Sequence, residues 1–271
     1  MREQLQVDAN GTDEPMHAIT FVGVEGALPG SPTHLKWQQT YARFGQAFFS
    51  QGSFRIRDLS GALGNYTIHD FGAVVRAGRM ARRTVVFPNS IDKAMWVIDV
   101  DGQTNVPLYA AEFDIRLRLL SEVEVLTFVT NVAPLSAMAS SVTSHADFQS
   151  AKNTMGQPPG LIDPNTGVAS EYQIHSIQVR DDPINGRQTL EMRFTDGIDQ
   201  FVVTQTPNAP DIFDGLPAKG QGQTIGRYRD PAMSVLIFWE GGVFFQVAGS
   251  GALHRLDALS RRLYLQAIAS N

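Results

Sequence analysis

Residues 84–108 have the sequence TVVFPNSIDKAMWVIDVDGQTNVPL, and this stretch decides the fold class. Two apolar runs rich in β-branched and aromatic residues, 84–87 and 94–100, are separated by Pro88-Asn89-Ser90, and Asp101-Gly102 ends the second run. Short runs bounded by such residues are typical of strands joined by turns. The stretch therefore predicts neighbouring strands of an antiparallel sheet.

The same pattern of short apolar runs separated by turn residues extends in both directions from this stretch. We predict strands over residues 17–24, 35–44, 48–57, 65–69, 84–87, 94–100, 108–115 and 119–129. Each run is too short to be a parallel strand of a βαβ unit. The expected architecture is therefore α+β and β-rich, with a curved, mostly antiparallel sheet.

Residues 131–170 interrupt this rhythm with a segment rich in Ser, Thr, Pro and Gly. It holds one predicted helix over 146–155, capped by Ser144, and is either a domain linker or an excursion that carries a helix onto the sheet. Further strands are expected over 171–180, 188–194, 201–206, 234–240 and 243–248. A hairpin at Glu240-Gly241-Gly242 joins the last two, and an amphipathic helix over 252–269 ends the chain.

The chain is long enough, at 271 residues, for one large domain or two ordinary ones. Its hydrophobic content of 43% and charged content of 18% are those of an ordinary globular protein. The composition break predicts two domains and a connection. These are a β-rich first domain over 1–145, a linker or helical connection over 146–169, and a small α+β domain over 170–271.

Composition excludes several function classes. With a net charge of -5 and no basic run longer than Arg82-Arg83 or Arg261-Arg262, nucleic acid is not an expected partner. The absence of cysteine excludes disulfides, thiolate zinc sites and cysteine nucleophiles. Residues 125–146 carry no formal charge, but their Asn, Pro, Ser and Thr content argues against a membrane span. The first seven residues lack an apolar signal core, so the protein is cytoplasmic or its signal or anchor lies outside this sequence.

Motifs for catalysis, metal binding or cofactor binding are not found in the sequence. Ser90-Ile91-Asp92-Lys93 matches a four-letter pattern of penicillin-recognising enzymes, but its partner motifs are missing and the surrounding residues indicate a turn. Asp99 and Asp101 could grip a cation, yet no further acid follows at ligand spacing, so a solvated strand end is favoured. We therefore predict no catalytic residue, no metal site, no cofactor and no enzymatic activity, and keep a hydrolase with a triad of distant residues as a rival.

Aromatic residues dominate what remains. Alternation places Trp37 and Tyr41 on one face of a predicted strand, and Phe54 and Trp96 lie in apolar runs of the same domain. Such residues chiefly form the core between sheet and helices. A curved sheet covered by helices can also leave an apolar cavity, and these four residues are then its predicted lining.

Several short motifs follow one another in a recognisable order. They are Asn65-Tyr66-Thr67-Ile68-His69, Ala77-Gly78-Arg79, Thr84-Val85-Val86-Phe87-Pro88, Ala94-Met95-Trp96-Val97-Ile98-Asp99, Thr104-Asn105-Val106-Pro107-Leu108 and Thr195-Asp196-Gly197-Ile198. This order resembles the MucB/RseB family, in which Gly-Leu stands where this chain has Asn105-Val106. The hairpin over 235–247 and the helix over 256–268 are similar to the closing elements of that family.

The resemblance implies a fold and a role. The fold is a large domain like the lipoprotein carriers LolA and LolB, a half-barrel closed by helices over an apolar cavity, followed by a small C-terminal domain. The role is that of a periplasmic, non-enzymatic regulator of the envelope stress response, which binds a membrane-anchored anti-sigma factor and responds to lipid or lipopolysaccharide. A periplasmic lipoprotein or lipid carrier of the LolA/LolB type is the alternative.

Overall fold

The computed structural model describes residues 3–7, 17–21, 54, 56–91, 93–128, 142–167, 171–181, 187–208, 226–230, 233–249 and 253–269. Within these ranges the strands form three antiparallel sheets. The smallest is a ribbon of β1 (Glu3–Val7) and β2 (His17–Phe21). The other two are open sheets of five and seven strands, which carry the cores of the protein.

The five-stranded sheet is a meander in which each strand pairs with the next along the chain. Its strands are β3 (Tyr66–Arg76), β4 (Arg79–Pro88), β5 (Met95–Asp101), β6 (Pro107–Phe113) and β7 (Leu119–Glu124). At the β3–β4 turn, Ala77 and Gly78 have φ values of 48° and 71°, the left-handed values that a tight two-residue hairpin favours. Because the sheet is a meander, the β4–β5 and β6–β7 turns lie at one end and the β3–β4 and β5–β6 turns at the other.

One face of this sheet carries its core. Val86 pairs with Trp96 and Thr84 with Ile98, so these side chains share a face. Helix α1 (Leu59–Asn65) contributes to the same core. The buried cluster consists of Phe54, Ala62, Tyr66, Val86, Trp96, Ile98, Ala110 and Ile198. Ile198 comes from a turn of the seven-stranded sheet, so this core includes one side chain from that sheet.

Helix α1 was not predicted from the sequence. The Asp58 carboxylate starts it by accepting hydrogen bonds from the N–H groups of Ser60 and Gly61 at 3.2 and 2.7 Å. The helix is only seven residues long, contains two glycines and buries a single side chain, that of Ala62. So short an element has no apolar stripe that a periodicity argument could find.

The seven-stranded sheet has the spatial order β12-β13-β14-β11-β10-β9-β8. Its strands are β8 (Val142–His145), β9 (Gln173–Asp181), β10 (Gln188–Thr195), β11 (Gln200–Pro207), β12 (Gly226–Asp230), β13 (Met233–Glu240) and β14 (Val243–Gly249). Helices α2 (Phe148–Thr154) and α3 (Leu253–Ala269) pack on it. Stacked ring pairs, Phe194 with Phe201 and Phe238 with Phe245, lie in its core at centroid distances of 4.9 and 4.7 Å. Among the described helices, none is long and apolar enough to cross a membrane.

The predicted fold class, β-rich α+β with antiparallel sheets, is confirmed. The strands expected after residue 170 and the terminal helix lie within a few residues of their predicted bounds, and the β13–β14 hairpin turns at Gly241-Gly242 as expected. The predicted cap at Ser144 is wrong, because Ser144 lies in β8 and the Asp147 carboxylate caps α2 by accepting the Ser150 N–H at 2.7 Å. The strand predicted over 35–44 lies outside the described residues.

The connection between the sheets belongs structurally to the seven-stranded one. Strand β8 pairs with β9, and Ala151, Leu161 and Ile162 are buried in the seven-stranded sheet's core. Residues 142–145, assigned from the sequence to the first domain, therefore pair within the second sheet. The division into domains remains a prediction, and these contacts favour a second unit that begins at or before Val142.

Candidate functional site

The turn between β10 and β11 reaches from the seven-stranded sheet to the five-stranded one. Side chains hold it in one shape: Asp196 Oδ1 accepts from the N–H groups of Ile198 and Asp199 at 3.1 and 2.8 Å. Thr195 Oγ1 accepts from the Gly197 N–H at 3.0 Å and donates to the Asp199 carbonyl at 2.8 Å. The turn, residues 195–199, is thus a preorganised loop whose own backbone groups are satisfied.

This turn is hydrogen-bonded to the segment around α1. The Arg57 N–H donates to the Gly197 carbonyl at 2.8 Å, and Arg57 Nη1 donates to the Ile198 carbonyl at 2.7 Å. Asn65 Nδ2 donates to the carbonyls of Asp196 and Gly61, both at 3.0 Å. Three of these four hydrogen bonds join the two segments. We call the contact of residues 195–199 with residues 57–66 and Lys93 the junction.

Two glycines allow the backbones to touch at the junction. Gly197 has φ 111°, and a Cβ there would lie 2.0 Å from the Ala62 nitrogen. A Cβ on Gly61 would lie 2.8 Å from the Asp196 carbonyl oxygen. Only residues without side chains permit so close an approach of two chain segments. The sequence predicted a turn at Asp196-Gly197, but not this contact.

A buried ion pair lies at the centre of the junction. Lys93 Nζ is 2.5 Å from Asp196 Oδ2, and the two side chains are only 2% and 0% exposed. Tyr66 Oη donates to the same carboxylate oxygen at 2.9 Å, and Tyr172 Oη donates to Asp199 Oδ2 at 2.8 Å. The Lys93 ammonium also lies 5.5 and 5.4 Å from the ring centroids of Tyr66 and Tyr172, within cation–π range. Each charge is compensated by groups from both sheets.

Two of the four predicted cavity residues are described. Phe54 and Trp96 are buried and make an edge-to-face contact, with ring centroids 5.6 Å apart, in the core that also holds Ile198. Trp37 and Tyr41 lie outside the described residues. The structure thus brings Phe54 and Trp96 together next to the junction, and the cavity remains a prediction.

The face of the five-stranded sheet opposite its core carries a row of ion pairs. Asp99 is fully buried beneath Arg76 and Arg83, whose Nε atoms donate to it at 2.6 and 2.7 Å. Asp101 accepts from Arg79 at 2.9 Å and from Thr104 Oγ1 at 2.7 Å. Guanidinium groups therefore bind the two carboxylates that the sequence offered as possible cation ligands. The solvated strand end favoured for them is wrong, because both side chains are buried.

The ionised form of Asp99 stabilises the folded protein through these ion pairs. Burial raises the pKa of Asp99, but hydrogen bonds from Arg83 and Arg76 outweigh it, and the net pKa lies below its ordinary value of 3.8. A carboxyl group whose pKa is lowered by folding stabilises the native state above the unfolded pKa. That contribution is lost as the pH falls through the folded pKa.

We expect Asp99→Asn to lower the free energy of unfolding at pH 7 by about 2–4 kcal/mol, because two arginines lose their buried partner. The wild-type stability should fall on acidification below about pH 4, and the variant should lose less over the same range. Urea unfolding followed by circular dichroism from pH 7 to pH 3 measures both effects. Glu122→Gln, an exposed partner of Tyr109, should change stability by less than about 0.5 kcal/mol at pH 7. If wild type and Asp99→Asn lose the same stability between pH 7 and pH 3, the stabilising role of ionised Asp99 is contradicted.

The core face of the five-stranded sheet continues into exposed apolar side chains. Ile68 pairs with Val86, and Val75 pairs with Met80, so all four point to the face that carries Trp96. Val86 is buried, whereas Ile68, Val75 and Met80 are exposed. We call Ile68, Val75 and Met80 the apolar extension; the exposed Asp70–Arg82 ion pair lies between Ile68 and the other two residues on this face.

No protein-family model and no curated protein matches the chain. Among solved structures, the chain is similar to MucB in complex with MucA(peri), at 16% identity and a TM-score of 0.47, covering 75% of this chain and 68% of that one. The MucA/MucB complex of Pseudomonas aeruginosa has 16% identity and a TM-score of 0.48, covering 76% of this chain and 67% of that one. A structure of MucB has 16% identity and a TM-score of 0.49, covering 77% of this chain and 64% of that one. These are structures of the family that the ordered sequence motifs resemble, and the likeness is one of fold.

Proposed function

We propose that the chain is a regulatory binding protein of the bacterial envelope stress pathway. It works in the periplasm and binds the periplasmic segment of a membrane-anchored anti-sigma factor. The order of the motifs in both halves of the sequence supports the pathway and the partner class. The observation that carries the binding role is the apolar extension, because it presents exposed apolar side chains on the core face of the five-stranded sheet.

The apolar extension has the properties that a peptide-binding surface needs. Ile68 lies beside the buried Val86, whereas Val75 and Met80 lie at the other end of the same face, beyond the exposed Asp70–Arg82 ion pair. An extended segment laid along this face would contact apolar side chains at both ends. Methionine suits such a surface because its unbranched side chain adapts to different partners. A segment with apolar side chains at alternate positions is the expected ligand.

The buried acidic groups support a binding role over a catalytic one. Asp99, Asp101 and Asp196 are paired with arginine or lysine, and Glu191 lies 3.1 and 2.6 Å from Arg180 and Arg193. Carboxylates paired in this way stabilise the scaffold. Acid–base catalysis instead uses pairs of groups whose environments drive their pKa values apart. We therefore propose no catalytic residue, metal or cofactor for this protein.

Lipid binding is the second part of the proposal. Phe54 and Trp96, together with Trp37 and Tyr41, are the residues we propose for an apolar cavity that takes an acyl chain. Such a ligand would regulate partner binding only if it preferred one arrangement of the two sheets. A carrier of the LolA/LolB type would also bind lipid but would have no need of the partner segment.

Titration of the full chain with the periplasmic segment of a membrane-anchored anti-sigma factor from the same organism tests the proposal. We expect saturable binding, and we expect Val75→Ser/Met80→Ser to weaken it about tenfold or more, since central apolar contacts dominate interface energies. Leu265→Ser, an exposed position on α3, is the matched control and should bind like wild type. Native mass spectrometry of the same sample shows whether lipid co-purifies.

Three results would contradict the proposal. Unchanged affinity in Val75→Ser/Met80→Ser would remove the apolar extension as the binding surface. Co-purified lipid without any binding of the segment would favour the carrier. Turnover of esters, peptides or glycosides by the purified chain would overturn the non-enzymatic assignment.

A further inference from the structure

The β6–β7 turn exposes apolar side chains between arginines. Residues 114–119 have the sequence Asp-Ile-Arg-Leu-Arg-Leu, and Ile115 and Leu117 are 64% and 68% exposed. Arg116, Arg118 and Leu119 are exposed as well. Exposed single apolar residues are ordinary, but here they alternate with cations at the tip of one hairpin.

The tip is held in a fixed shape by Asp114. Its Oδ1 accepts from the N–H groups of Arg116 and Arg118 at 2.8 and 2.9 Å, and its Oδ2 accepts from Arg118 Nε at 2.6 Å. The Leu117 N–H donates to the Asp114 carbonyl at 2.9 Å. The apolar side chains are therefore presented on a rigid turn, so little conformational entropy is lost when they are buried.

The backbone at Leu117 is unfavourable for leucine. Its φ is 58°, in the left-handed region where glycine or asparagine is ordinarily found. A leucine that is two-thirds exposed recovers little of this cost by packing within the chain. A strained residue with an exposed apolar side chain suggests that the side chain is buried in a complex.

A second turn presents an apolar residue at the same end of the sheet. Ile91, in the β4–β5 turn, is 83% exposed. The β4–β5 and β6–β7 turns lie at one end of the meander, so Ile91, Ile115 and Leu117 belong to the same rim. Because its apolar side chains lie in two separate turns, the rim fits a flat, extended partner surface better than a narrow pocket on a partner.

The charges of the tip select the kind of partner. Asp114 is balanced by Arg118, to which it is hydrogen-bonded, and Arg116 adds a positive charge on a chain whose net charge is -5. Alternating apolar and basic side chains match the boundary of an anionic bilayer, where apolar groups enter the acyl region and guanidinium groups contact phosphates. A neutral apolar protein surface would leave Arg116 without a counter-charge.

We infer that the rim, residues 114–119 with Ile91, docks the protein reversibly on the surface of an anionic lipid bilayer. A few apolar side chains and one or two cations provide weak attachment, well below that of a lipid anchor. This docking goes beyond the proposed function and does not depend on it. Together with a membrane-anchored partner, it would raise the effective concentration of each for the other.

Co-sedimentation of the full chain with vesicles tests the inference. We expect binding to vesicles of equal parts phosphatidylglycerol and phosphatidylcholine at low salt, and at least fivefold weaker binding to pure phosphatidylcholine. Ile115→Ser/Leu117→Gly should reduce binding to the anionic vesicles by at least fivefold, and Arg116→Gln should reduce it by about half or more. Leu126→Ser, an 81% exposed position just after β7 at the opposite end of the sheet, should leave it within twofold.

Stability separates this effect from misfolding. Glycine at position 117 relieves the left-handed strain, so Leu117→Gly should unfold at the same or a higher temperature while binding vesicles less. Wild-type binding by Ile115→Ser/Leu117→Gly, equal binding to neutral vesicles, or no binding to anionic vesicles would overturn the inference. If the same variant no longer binds the anti-sigma segment in the absence of vesicles, the rim is a protein interface instead. The apolar extension is tested separately, by Val75→Ser/Met80→Ser.

Discussion

Replacing Gly197 with alanine is expected to lower the free energy of unfolding by more than about 3 kcal/mol, because overpacking and a disfavoured backbone conformation act together. The new Cβ would lie 2.0 Å from the Ala62 nitrogen and 2.6 Å from the Gly61 carbonyl carbon. Both atoms are backbone, so no side chain can rotate away. The turn would have to withdraw from α1, which would also break the hydrogen bonds from Arg57 and Asn65.

The matched control for Gly197→Ala is Gly64→Ala in the adjacent helix. An added Cβ at Gly64 meets no atom within 4 Å. We expect this variant to be neutral or stabilised by about 0.5–1 kcal/mol, the usual gain of alanine over glycine in a helix. Urea unfolding of both variants measures the difference. Equal stabilities of Gly197→Ala and wild type would mean that the two backbones do not touch in solution.

Lys93→Met is expected to destabilise the protein by about 3–5 kcal/mol, the usual effect of leaving a buried charge without its partner. Asp196 would keep the Tyr66 hydroxyl and two N–H donors but would lose its cation. Lys93→Met/Asp196→Asn should recover part of that loss, because no unpaired charge then remains in the junction. The four stabilities form a double-mutant cycle that isolates the coupling between the two residues.

Two controls accompany this cycle. Tyr66→Phe removes one hydroxyl from the Asp196 carboxylate and should cost about 1–2 kcal/mol. Lys152→Met, on α2, removes a lysine charge away from the junction and should change stability by less than about 0.5 kcal/mol. A coupling between Lys93 and Asp196 no larger than that of a surface pair, under about 1 kcal/mol, would contradict the buried ion pair.

The burial of individual core residues was predictable from the sequence. Phe54 and Trp96 were assigned to an apolar interior because they lie in apolar runs of the first domain, and both are buried. Alternation could not decide between a packed core and a cavity lining, because both place a side chain on the same face of a sheet. The edge-to-face contact of these rings depends on the position of α1 and on Ile198 from another sheet.

Lys93 and Asp196 show what sequence patterns miss at the candidate site. Lys93 drew attention only as the last letter of a four-residue catalytic pattern, and Asp196 only as a turn residue in a family motif. The two residues are 103 positions apart, and neither position repeats with a period that would mark it as buried. A lysine and an aspartate beside turn residues ordinarily lie in solvent, so local chemistry alone favours the wrong burial for both.

The amino-acid sequence alone determined where most strands lie. Alternation with a period of two and the conformational demands of Gly, Pro, Asn and Asp act within a few residues, so β9, β10, β13 and β14 could be placed closely. Only the tertiary structure decided how the two large sheets meet. The contact of Gly197 with Ala62, the burial of Lys93 against Asp196 and the short helix α1 arise from packing between distant segments. Such packing depends on shape and on the compensation of buried charge, which no local periodicity records.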